Sequence, residues 1–124
     1  MDHSRNSHEM FEGTLCKLLH HPRSDQDLVI YTLCATQKYI IQRRNFTGDK
    51  LPDYYLDAIR KLLKTKNPET KEWTLRTIDQ MGAQGKKLAN DILKVRPRFL
   101  SLLNKHNRNS HEIIEMLLKR WNYL

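Results

Sequence analysis

A chain of 124 residues, 39% hydrophobic and 29% charged, is sized for one domain with one core and is too apolar to be disordered. Four glycines and four prolines are few for a turn-rich all-β fold, and no apolar run approaches the ~18–20 residues of a membrane span. Two cysteines cannot build a disulfide framework, and the polar opening MDHSRNSHEMFEGTL lacks the apolar centre of a secretory signal, so a cytoplasmic protein that does not enter a membrane is expected.

Residues 1–7 are polar and read as a disordered tail ahead of a single domain, residues 8–124. Ser7 is placed to cap a helix from His8 to about His20, with Met10, Phe11, Leu15, Leu18 and Leu19 on its apolar side and Pro22 as its stop. The run Ser24 to Asp27, S-D-Q-D, resembles a capping box with acid in the first turn and opens a longer helix to about Arg44. Leu28, Val29, Leu33, Ala35 and Ile40 are expected on its buried side. Ile30, Tyr31, Cys34 and Ile41 widen that stripe, as in a helix covered on more than one side. The VIYTL run has strand character, but the length and the cap favour helix. Asn45 to Leu51 reads as a loop, with turn chemistry at Thr47, Gly48 and Asp49. Asp49 is placed to cap the next helix, with Pro52 in its first turn.

From Asp53 to Gly82 the sequence spells a helical hairpin. Tyr55, Leu56, Ile59, Leu62 and Leu63 recur at helical spacing on its first arm, and Leu75, Ile78 and Met81 on its second, with Trp73 near the start. Asn67 is placed as N-cap, Pro68 takes the first helical position, and Gly82 follows the last periodic residue as a left-handed C-terminal cap requires. This stretch, LLKTKNPETKEWTLRTIDQMG, resembles a HEAT repeat of the armadillo-type helical superfamily. Leu62, Leu63, Pro68, Glu69, Ile78 and Gly82 fall on that pattern; Asn67 stands where the family often has Asp and Lys71 where it often has Arg. Thr70 and Trp73 depart from it, since small aliphatic residues are usual there. The resemblance covers about a quarter of the chain and implies a right-handed stack of antiparallel hairpins used for binding.

Beyond Gly82, a helix opening near Gly85 is expected to bury Leu88, Ala89, Ile92 and Leu93, and Pro97 to break it near Arg96. Phe99, Leu100, Leu102 and Leu103 continue the apolar face. Asn109 and Glu112 form a reciprocal cap pattern for a last helix carrying Ile113, Ile114, Leu117, Leu118, Trp121 and Leu124. Three segments beginning at Leu15, Ile59 and Phe99 each set paired leucines before a polar turn and a new helix. Their spacings, 44 and 40 residues, fall in the ~40–47 range of HEAT and armadillo repeats. The expected fold is therefore all-α: about six helices in three stacked hairpins, with a compact irregular bundle as the alternative.

No reaction is written in these residues. GAQGKK at Gly82 to Lys87 lacks the spacing and the Ser or Thr of a nucleotide-binding loop. Six dispersed histidines, and the pair Cys16 and His20, do not make a metal set. Both cysteines are expected as small buried hydrophobes. The charge is uneven: residues up to Asp57 balance to −1, and those from Ala58 onward to +9. Lys86, Lys87, Lys94, Arg96, Arg98, Lys105 and Arg108 stand against the single acid Asp91, a set able to follow a phosphate backbone if aligned, with Arg60, Lys64 and Lys71 as extensions. Two uses follow. The first is a non-catalytic scaffold that binds a protein or peptide, acidic in character, through Trp73, Arg76, Asp79 and Gln80 on the second helix of the central hairpin. The second is nucleic-acid binding by the basic half. Neither needs a cofactor, metal or catalytic residue, and an enzyme is the remotest reading.

Overall fold

The computed structural model describes the backbone of residues 3–21 and 25–123, and the side chains of residues 8–21, 25–98 and 101–123. No strand occurs among them. The helices are α1 (His3–His20), α2 (Gln26–Thr36), α3 (Arg43–Thr47), α4 (Asp53–Leu62), α5 (Pro68–Gln80), α6 (Ala89–Lys94) and α7 (Lys105–Arg120). A π-helical turn, Gln37–Gln42, joins α2 to α3 without a break, so the seven segments make six rods, in line with the all-α expectation. Two 3-10 segments, Gly82–Leu88 and Phe99–Leu103, lead into α6 and α7.

The rods lie in two layers. α1 packs on both α2 and α4; α2 packs on α5, and α5 packs most extensively on α7. Bonds along the rods give their directions. Glu72 meets His106 and Asn109 near the starts of α5 and α7, and Asp79 meets Arg120 near their ends. Gln37 donates to Thr77, and Asn45 to the Gln80 carbonyl, so α2–α3 runs the same way as α5. The Leu51 amide donates to Gln84 at 2.6 Å below α4 and α6, and Arg60 meets Asp91 further up. Three antiparallel hairpins thus lie side by side, with α1, α4 and α6 in one layer and α2–α3, α5 and α7 in the other. Leu33, Ile40, Ile41, Ile59, Leu75, Ile78 and Leu88 fill the space between, each fully buried. Tyr55 is buried among them and its hydroxyl is 2.8 Å from that of Thr36.

The central hairpin forms as its residues dictate. Asn67 Oδ1 accepts from the Thr70 amide at 2.9 Å, Pro68 sits at the start of α5, and Gly82 takes φ +62 after its end. Elsewhere the boundaries move. Helical backbone reaches His3, inside the stretch read as a tail and five residues ahead of the expected start. Pro22 and Ser24 lie outside the described residues; the observed cap of α2 is Asp25, which accepts from the Leu28 amide. α3 runs to Thr47 and closes on Gly48 at φ +80, so the loop is shorter than Asn45 to Leu51. Asp49 does not cap α4: its carboxylate takes the Thr47 hydroxyl at 2.9 Å, and Pro52 is itself the N-cap residue. Asn104, not Asn109, caps α7, because α7 starts at Lys105; Asn109 lies inside it and donates to Glu72.

Several side chains expected in the core are exposed: Met10, Phe11, Leu18, Leu28, Tyr31 and Leu103, together with Cys34. Leu102 is half-buried, and the side chains of Phe99 and Leu100, like Leu124, lie outside the described residues. The exposure on α1 and α2 follows from position. α1 and α2 form the end of the stack, and among the described residues no element covers their outer side.

Candidate functional site

The four α5 residues fall on one strip. Trp73, Arg76 and Gln80 share a helix face by spacing, and Asp79 borders it. The Trp73 ring is half-buried against the core, and the Arg76 guanidinium lies over it at 5.9 Å while bonding Glu72 at 2.8 Å. Asp79 is 2.7 Å from Arg120 of α7, whose other nitrogen approaches the Met116 sulfur at 3.7 Å. The strip therefore extends onto α7 through Met116 and Arg120, which the sequence alone did not suggest.

The strip is braced from beneath by Glu72, only 5% exposed. Burial pushes this carboxyl up, but bonds from His106, Arg76 and Asn109 outweigh it and hold the group below the ordinary carboxylate range. A second buried carboxylate, Glu12, takes two bonds from Arg44, at 2.8 and 2.9 Å, and joins α1 to α3. That pairing, before any other influence, raises Arg44 above its ordinary value. Burial first, then the Glu12 charge, pushes the Cys16 thiol up to about 12, far from a reactive thiolate. His20 donates to the Tyr54 carbonyl at 3.0 Å. Among the described residues no group of three His, Cys, Asp or Glu is placed to hold a metal.

The seven cations of the basic set are all exposed, but they divide. Lys86 and Lys87 follow Gln84, which is bonded to Leu51 and Asp49 at the start of α4. Lys94 lies at the other end of that helix, beside Lys64, in a recess of about 250 Å³ with Arg60 and Asp91. A ten-residue helix puts ~15 Å between the two ends. Arg96 is paired with Glu115, and Arg108 donates to the Leu103 carbonyl. Arg60 is taken up by Asp57 and Asp91, and burial lowers the Lys71 amine.

A third surface joins side chains that the sequence places on buried faces, Met10, Phe11, Leu18, Leu28 and Tyr31, to Tyr39 and to Phe46, which it reads as part of a loop. Along the outer seam of α1 and α2–α3, Met10, Phe11, Leu18, Leu28, Tyr31, Tyr39 and Phe46 are exposed, Met10 at 75%, Tyr31 at 72% and Phe46 at 93%. Phe11 and Tyr39 meet edge to face at 5.1 Å, and the Lys38 amine sits 5.4 Å above the Tyr39 ring. Two recesses open on this seam. One, about 430 Å³, is lined by Thr14, Lys17, Leu18, His21, Leu28 and Val29; the other, about 450 Å³, by His8, Lys38, Tyr39, Gln42, Arg43 and Phe46. Periodicity marks Met10, Phe11, Leu18, Leu28 and Tyr31 as parts of apolar stripes but does not say which stripe lacks a neighbour. The one available sign was the excess width of the stripe on α2.

No helix among the described residues is long and apolar enough to cross a membrane. Comparison with family models, with curated proteins and with solved structures finds no match.

Proposed function

We propose that this chain is a non-catalytic interaction module, a HEAT-like helical repeat of the cytoplasm that docks a protein or peptide partner. The observation that carries the reading is the unpaired apolar seam of the first hairpin. Solitary exposed apolar residues are ordinary, but aromatic and aliphatic side chains gathered around two recesses with cations in their walls are a mark of interaction sites. The strip of Trp73, Arg76, Asp79 and Gln80, with Met116 and Arg120, supplies a second contact surface, in which Trp73, Arg76 and Arg120 are of the residue types that dominate binding energy.

The test is capture by the immobilised chain at about 0.15 M salt. A protein should be retained, and retention should fall about tenfold or more with Phe46→Asp or Arg76→Glu, the size of an interface hot spot. Retention that ignores both substitutions contradicts the reading. A second reading, nucleic-acid binding, draws on the exposed cations from Lys86 to Arg108. It requires binding of generic DNA or RNA that weakens steeply with salt, and further when Lys94, Arg96 and Arg98 become Glu. The ~15 Å division of the set and the pairing of Arg96 make it the weaker of the two.

A further inference from the structure

We infer that the seam between α1 and α2–α3 is the seat of an acidic amphipathic helix. The inference rests on the docking-module reading and names the partner's chemistry. His8 to His21 spans ~20 Å along α1 at 1.5 Å per residue. The two recesses lie toward opposite ends of that span, with Leu18 in the wall of one and Phe11 packed on Tyr39 of the other. A helix of about four turns covers the same length, and large apolar side chains ten or eleven residues apart on it would sit about 15–17 Å apart, one in each recess.

Charge selects the polar face of that helix. The walls of the two recesses hold Lys17, Lys38 and Arg43, with His8 and His21, and no carboxylate; of those nearby, Glu12 is occupied by Arg44 and, at 3.8 Å, Arg43, and Asp25 by the Leu28 amide. Asp and Glu flanking the apolar anchors meet these cations at the rim, where they steer encounter and fix register. The same charges disfavour a second copy of the chain. A two-fold pairing on this seam would set Lys17, Lys38 and Arg43 of one copy against the same cations of the other. A long polyanion is also disfavoured: past Arg43 lie the carboxylates of Glu9 and Asp49 and, beneath them, the buried Glu12.

The test uses a fluorescein-labelled synthetic peptide of about 18 residues, with Leu and Phe at helical spacing (i, i+3, i+7, i+11) and Glu or Asp elsewhere on an Ala background, titrated with the full chain at about 0.15 M salt. A counterpart with Lys in place of every acid, and a single-stranded oligothymidine, are titrated alongside. The acidic peptide should bind about tenfold or more tightly than the Lys counterpart, and lose about tenfold with Phe46→Ala or with Lys38→Glu plus Arg43→Glu, while Lys61→Glu, exposed on α4, leaves it unchanged. Circular dichroism checks that each variant stays folded; Phe46 is exposed, so its truncation leaves the core intact. Equal binding of both peptides, or binding that Phe46→Ala does not weaken, overturns the inference. So does oligothymidine competing for the seam, or light scattering that shows a dimer dissolved by Phe46→Ala. If the peptide fails while a captured protein is lost with Arg76→Glu alone, the inference falls and the module reading stands. If no protein is captured and no peptide binds, both fall.

Discussion

Glu72 shows how single residues couple the two most closely packed helices. Its carboxylate lies on α5, and two of its three partners, His106 and Asn109, come from α7. Glu72→Gln keeps the shape but removes the charge, so it should cost about 1–3 kcal/mol in urea unfolding. The sign of the pH effect follows from the lowered folded value: the contribution is fully present above the unfolded carboxylate value of ~4.3 and is lost as pH falls through the lower folded one. Wild type should therefore lose stability between about pH 5 and pH 3 more steeply than Glu72→Gln. Gly85 is a packing case. A Cβ there would meet the Ile78 carbonyl at 3.0 Å and the Trp121 ring at 3.1 Å, so Gly85→Ala should destabilise by about 1–3 kcal/mol. The cysteines separate by burial: in the folded protein a thiol reagent should modify Cys34 quickly, and Cys16 only on unfolding. Rapid loss of both thiols would contradict the packing of α1.

Among the elements, the central hairpin was legible because every local signal agreed. Asn67, Pro68, Gly82 and the leucine spacing all specify the same structure, and the helix forms where they say. α1 and α2–α3 were legible as helices but not in their facing. A wide apolar stripe states that something covers a helix, not that the cover comes from the same chain, so Phe11, Leu18, Leu28 and Tyr31 were placed inside. The π turn was not legible, since QKYIIQ fits an α helix equally well. The start of α7 was missed because two Asn-led caps compete, and Asn104 takes two amides where Asn109 turns to Glu72. At this scale the first hairpin should tolerate change on its outer seam. Phe46→Ala and Met10→Ala should each alter unfolding free energy by no more than about 0.5 kcal/mol, whereas Leu19→Ala, fully buried on the opposite side of α1, should cost about 2–4 kcal/mol.

For the whole molecule, side-by-side hairpins give a stack whose two ends differ. One end carries the apolar seam on α1 and α2–α3. The excess positive charge lies on the chain beyond Ala58 and divides between the two ends of α4. Helical stacks carry polar outer faces on their terminal repeats, and the first hairpin sets large exposed apolar side chains among its polar ones. The proposed partner would cover them. Nuclear magnetic resonance of the isotopically labelled chain, titrated with the acidic amphipathic peptide, addresses this most directly. The account predicts amide shift changes confined to α1, α2 and α3, centred on Phe11, Leu18, Tyr39 and Phe46, with α6 and α7 unmoved. Changes centred instead on Lys94 to Arg108, or none at all with saturating peptide, would contradict it.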